Sequence, residues 1–437
     1  MSSRTEADAS HASFSPPPGS RRTDPEDQEP VSKDTAPHPE DPVPGVFRPD
    51  LWAWSRAAPA GRRDRIILTV LGGAGLLATL RFADWWFRPD HVAHTGLYLV
   101  LSLAIWYGIS RMILGWINLM ALRRPRHRPP PPGLRVAIFT TSSPGEPLGM
   151  FQDTLAACAD IRYPHTTYLL DDTQDARYRE VAEQNGVVHL ELVGIPGAKA
   201  GKINTALSRT TEDFILVLDP DHMPFPEFLD RVLGHFQDPK VGFVQVAQAY
   251  YNQPRSFTAR GAAEQTYAFY GPTQMGLFGH GGAVAIGANC TFRRSALESI
   301  GGHGIGLSED LVTSIRLHST GWRSIYVPEV LSRGLVPEDL GCYYAQQMKW
   351  ARGVFEVLFS ELPRALPGLS WRQRLSYMAI GTYYLVGLTT FMYLLIPYLY
   401  LWTGLQPASM PIGQLVSHGG PVALIGVALY LHAQRWL

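Results

Sequence analysis

Hydrophobicity in this chain is segregated rather than spread, and that limits what it can fold into. The run from Ile66 to Phe87 carries two charges, Arg81 and Asp84, both near its end. The run from Gly96 to Leu122 carries Arg111 alone. Each is long enough to cross a hydrocarbon core of about 30 Å as one helix, and Gly72, Gly73 and Gly75 suit close helix packing in lipid. Apolar character returns at Tyr377–Trp402 and again from Pro421 to the C-terminus. The segment Trp350–Ser376 mixes Trp, Phe and Leu with Arg and Glu and suits a helix lying in the membrane interface. Residues 61–122 are therefore expected to form two transmembrane helices. Residues 367–437 are expected to hold the interfacial helix and two further spans.

Basic residues orient the spans. Arg62, Arg63 and Arg65 precede the first, and Arg123, Arg124, Arg126 and Arg128 follow the second. The positive-inside rule puts both flanks in the cytoplasm. Residues 1–60, with SPPPGS and PHPEDPVPG, hold too little apolar surface to offset ordering entropy and read as a disordered cytoplasmic tail. Residues 123–133, PRHRPPPPG included, read as a stiff basic linker.

Between the two apolar blocks the pattern changes. RVAIFTTSS, TTYLLDD, DFILVLDPD and VGFVQV read as buried strands, with helical patterns such as MFQDTLAACADI and EFLDRVLGHF between them. Such alternation implies a mostly parallel sheet covered on both faces, over residues 134–366. Lys+Arg and Asp+Glu both number 38, so charge gives no sign of a nucleic-acid partner. Three scattered cysteines without a CxxC pair argue against a disulfide framework or a zinc site.

Acidic residues close two of the expected strands: Asp171 and Asp172 in LLDDTQD, Asp219 and Asp221 in ILVLDPDH. Ligands bind outside the carboxyl ends of strands in a parallel sheet. Alternate residues of an extended chain face the same way, so a DxD pair can hold a hard divalent cation that bridges substrate phosphates. Helix capping or a turn would explain the same residues without a function. In GLSEDLVTSIRLHSTGW, Glu309 and Asp310 open an expected helix, which suits either a favoured acidic first turn or a general base. YYAQQMKWARG offers an amide, a cation for phosphate oxygens and an indole face for a pyranose ring.

In this order the motifs resemble the processive family 2 glycosyltransferases, and most closely the catalytic subunits of bacterial cellulose synthases, over about residues 65–403. The resemblance implies an α/β GT-A (Rossmann-like) cytoplasmic domain inserted between transmembrane α-helices of the cell membrane. It implies one bound Mg2+ or Mn2+ on Asp219 and Asp221, and Asp310 of SED as catalytic base. Glu146, Asp171, Asp172, Lys199, Gly201, Asn204 and Asp219 would line the donor nucleotide site. Gln346, Lys349 and Trp350 would hold the diphosphate and the acceptor end of the glycan, and GANCTFRRSAL would line the acceptor site. The implied partners are a UDP-sugar (UDP-glucose above all), the growing glycan, membrane lipid and an accessory secretion subunit. The implied product is β-linked, such as cellulose, because the family inverts the anomeric centre. A hyaluronan-, chitin- or mannan-like product fits the same motifs. Two other classes are an inactive membrane scaffold of the same fold and a Mg2+-dependent phosphatase built on LLDDTQD, which leaves QQMKW unexplained. The sequence departs from the family at Lys349, where an arginine is usual, at Gln347, at Ser308 of SED and at Thr173 of DDT.

Overall fold

A computed structural model describes residues 60–436 of the chain; residues 1–59 of the expected tail lie outside them. Seven strands form one sheet: β1 (Val136–Thr141), β2 (Thr166–Asp171), β3 (Val188–Glu191), β4 (Phe214–Leu218), β6 (Val241–Ala247), β7 (Cys290–Arg293) and β8 (Arg323–Val330). The two-residue strands β5 (Met223–Pro224) and β9 (Ser332–Arg333) pair antiparallel beside it. The order across the sheet is β3-β2-β1-β4-β7-β6-β8. β1 pairs parallel with β2 and with β4, while β7 runs against both of its neighbours. The carboxyl ends of β1, β2 and β4 therefore share one edge with the amino end of β7.

The near-continuous apolar runs in β1 and β4 follow from burial on both faces. Ile138, Leu216 and Leu218 enter one core cluster. Their neighbours Ala137, Phe139, Ile215 and Val217 enter the other, because successive side chains alternate across a strand. A third cluster joins Leu311, Val312 and Ile315 to Val357, Leu362 and Tyr377. It packs the Glu309–Ser319 helix against the Leu340–Phe359 helix and the Trp371–Gly381 helix.

Among the described residues, four helices are long and apolar enough to cross a membrane: Arg62–Trp86, Thr95–Met120, Leu385–Thr403 and Ile412–Trp436. The fourth begins well before Pro421. Its polar first half hides it in the sequence but faces the first helix, where Trp85 Nε1 donates to Gln414 Oε1 at 3.4 Å. The His418 ring stacks on Trp85 at 4.8 Å. Arg111, the lone charge in the second helix, donates to the carbonyl of Ala379, and its guanidinium lies 5.6 Å from the centre of the Tyr383 ring. The one charge in an otherwise apolar helix is thus paired rather than left bare. The third helix starts at Leu385 rather than Tyr377, after a break at Thr382–Tyr384 to which Tyr107 donates at 2.8 Å. The Trp350–Ser376 segment is likewise not one helix: it breaks at Ser360 and again at Leu366–Gly368, where prolines interrupt the backbone donors.

Candidate active site

The site is built on the shared strand edge. At the end of β2 the two aspartates part company. Asp171 is buried and accepts from Ser142 Oγ at 2.5 Å, Thr173 N at 2.9 Å and Thr173 Oγ1 at 2.8 Å. Its second oxygen lies 2.8 Å from His189 Nε2. Burial pushes this carboxyl up, but the hydrogen bonds from Ser142, His189 and Thr173 outweigh it and hold the group below its ordinary value. Asp172 points the other way, accepting from Gly194 N at 3.0 Å, with Lys202 Nζ 3.5 Å from its other oxygen. At the end of β1, Glu146 folds back to accept from Ser143 N at 2.8 Å. Burial raises its pKa, against the Ser143 amide and the Lys202 charge, and Asp219 and Asp221 raise it further.

After β4, the tight Asp219–His222 turn brings Asp219, Asp221 and His222 together, with one ligand atom from each lying within 4.8 Å of the others. Asp221 accepts from Leu335 N at 3.1 Å and sits 2.9 Å from His222 Nδ1. Burial would raise the Asp221 carboxyl and lower the His222 imidazole, but their mutual attraction reverses both. Two carboxylates and an imidazole suit a hard divalent cation such as Mg2+ or Mn2+. His222 Nε2 is buried without a hydrogen-bond partner among the described residues.

Lys199, in the Ala198–Arg209 helix, donates to Asp219 Oδ1 and, at 2.7 Å, to the carbonyl of Gly287. Gly287 (φ +81°) and Asn289 (φ +58°) take left-handed backbone conformations just before β7, which turns that carbonyl to the site. Burial lowers the Lys199 ammonium, but Asp219 and Glu309 outweigh it, so its pKa is raised; Asp310 adds to this. Asp310 stands in the first turn of its helix and accepts from Leu311 N at 2.7 Å. Burial and the neighbouring Glu309 push its carboxyl up to about 7. That is the poise a general base needs near neutral pH.

The Leu340–Phe359 helix carries Gln346 and Trp350, both half-buried, and Lys349, which is exposed. It meets the Asp310 turn at Gly353, where a Cβ would lie 2.2 Å from Ser308 Oγ. Two residues matched by the resemblance turn out to shape the backbone. A Cβ on Gly201 would lie 2.0 Å from the Pro196 carbonyl. Asn204 exchanges hydrogen bonds with the His303 backbone at 2.9 and 2.7 Å, fixing the loop before Asp310. Sequence reasoning passed over Lys202 and His222. Their signals were a lysine on the apolar face of KAGKINTAL and a histidine directly after DPD.

The sheet is mixed, its strand ends are acidic and apolar helices flank it. The glycosyltransferase-like family 2 model matches residues 131–353, more than half of the chain, and the protein belongs to that family of glycosyltransferases. The chain is 28% identical over 389 residues to cellulose synthase 1 of Komagataeibacter xylinus, covering 84% of this chain and 24% of that protein. It is 28% identical over 366 residues to the UDP-forming cellulose synthase catalytic subunit of Komagataeibacter sucrofermentans, covering 78% of this chain and 47% of that one. The chain thus spans from a quarter to a half of the length of these relatives. Among solved structures it is similar to a mannosyltransferase from Pyrobaculum calidifontis in complex with GDP-Man and Mn2+. The TM-score is 0.54 and the identity 19%, covering 78% of this chain and 96% of that one. The shared fold is GT-A.

Proposed function

We propose that the chain is a membrane-embedded, inverting glycosyltransferase that polymerises a UDP-sugar into a β-linked polysaccharide, with UDP-glucose the first donor to test. The observation that carries this is proximity: Lys199 joins Asp219 to the Gly287 carbonyl, a Cβ on Gly287 would lie 3.7 Å from Asp310 Oδ2, and the helix of Gln346, Lys349 and Trp350 packs against the Asp310 turn. Donor, base and acceptor residues then belong to one cleft.

In this reading Asp172 and Glu146 hold the nucleoside end of the donor. Asp219 and Asp221, with His222, hold Mg2+ or Mn2+, which neutralises charge on the departing diphosphate. Asp310 takes the proton of the acceptor hydroxyl as that oxygen attacks the anomeric carbon. Lys349 pairs with phosphate oxygens, and Trp350 gives the acceptor ring an apolar face. The domain of residues 134–366 sits on the cytoplasmic side of the cell membrane, between spans at 61–122 and 367–437. The glycan leaves outward, towards an accessory secretion subunit.

Purified chain in lipid nanodiscs, given a panel of UDP-sugars, tests this. UDP release and polymer should appear with one donor and should need divalent metal. Metal-dependent release from UDP-N-acetylglucosamine alone would replace the cellulose-like product by a chitin-like one. Folded chain without UDP release or polymer from any donor would leave the inactive scaffold.

A further inference from the structure

We infer that Lys202 is a positioning residue for the nucleoside end of the donor, bracing Asp172 and the Glu146 turn from beneath the cleft. The inference deepens the donor-binding reading above and rests on it.

Lys202 is 2% exposed, rare for a lysine. Burying an ammonium is costly unless its donors are satisfied. Here it donates to the Ser142 carbonyl at 2.6 Å and to Ser143 Oγ at 3.1 Å, and it lies 3.5 Å from Asp172 Oδ2. Ser142 and Ser143 follow β1, Asp172 follows β2, and Lys202 itself comes from the Ala198–Arg209 helix. One cation thus joins three elements at the strand edge. Its reach extends one step further, because Ser143 N is the donor that holds the Glu146 carboxylate at 2.8 Å. Asp172 is fixed from two sides, by Lys202 at one oxygen and Gly194 N at the other. Both carboxylates assigned to the nucleoside are therefore oriented by a group too deeply buried to touch the nucleoside itself.

Lys199 makes a useful contrast on the same helix. It reaches the Asp219 side of the cleft and its partners belong to the metal and acceptor half. Lys202, three residues on, serves the other half. Loss of Lys202 should then weaken donor binding while sparing the chemical step.

The test is UDP binding by titration calorimetry with Mg2+ on the full chain in nanodiscs, beside KM and kcat for the active UDP-sugar. Lys202→Met keeps the apolar stem and removes the charge. It should weaken UDP binding by about tenfold or more, since charge-assisted hydrogen bonds are lost. Donor KM should rise in step, with kcat within about threefold of wild type. Asp172→Asn should cost less in the Lys202→Met background than in the wild type, because the two residues act as one unit. Lys202→Gln keeps a donor for the Ser142 carbonyl and should fall between. It takes the same measurements if Lys202→Met does not fold. Wild-type UDP affinity in a folded variant, or a fall in kcat with KM unchanged, overturns the inference alone. A wild-type chain that binds no UDP removes the donor reading and the inference together.

Discussion

LLDD and LDPD look like equivalent acidic strand ends in the sequence, yet the fold uses them differently. At LLDD the carboxylates are adjacent, so one must turn in and one out. Asp171 turns in and is saturated by Ser142, Thr173 and His189. Asp172 alone is left for the cleft. At LDPD the Asp219–His222 turn draws both carboxylates together, and His222 joins them. The backbone after each strand, more than the presence of two acids, separates a buried brace from a clustered pair.

This contrast is best broken by removing one charge at a time. Asp221→Asn should abolish metal-dependent UDP release, a loss of about 10³-fold or more, as chelation should in the wild type. Full activity in excess chelator would erase the distinction. Asp310→Asn should lower kcat by about 10²- to 10⁴-fold while leaving UDP affinity intact. The pH profile sharpens this: a base must be ionised, so activity should rise with pH through about 7, following the raised Asp310 carboxyl. The folded state favours the protonated form of this group, so its contribution to stability is lost as pH rises from 3.8 towards about 7. A profile flat from pH 5 to 8 in the chemical step would move the base elsewhere.

Asp171→Asn should behave as a structural lesion, costing about 1–3 kcal/mol in unfolding free energy with kcat of the surviving fold little changed. Its lowered carboxyl adds stability above pH 3.8 that is lost only as pH falls below that value. A stable Asp171→Asn protein that has lost metal dependence would make the two strand ends equivalent after all. Lys349→Arg is the mildest change and should keep or slightly raise activity, since the guanidinium restores a two-pronged contact to phosphate. Loss of UDP release in that variant would show that the ammonium itself is required.

The sheet was legible where strands are long and apolar, as in RVAIFTTSS and FILVL. It was illegible at β7, four residues following a glycine-rich turn and running against its neighbours, and at β3, a partly exposed strand at the edge. β8 contains Pro328, which a strand tolerates at the sheet edge where β8 lies. The fourth apolar helix reads short because Gln414, Ser417 and His418 look unsuited to lipid; in the fold Gln414 and His418 engage Trp85 of the first helix, and Ser417 Oγ donates back to the Gln414 carbonyl. In the site, motif order brought Asp219, Asp221, Lys199 and Asp310 into view. It could not tell that Asp171 faces inward or that Asn204 is spent on the His303 backbone, since both depend on the packing of distant segments.

Gly353 has a mechanical meaning as well. The helix that presents Trp350 touches the Asp310 turn with no room for even a methyl group. For the polymerase proposed above, anvil and hammer would be one casting. The base would not walk along the product. Each added sugar would instead be hauled forward past a stationary proton acceptor before the next bond is made. Widening that joint by Gly353→Ala would push the two surfaces apart and blunt every cycle alike.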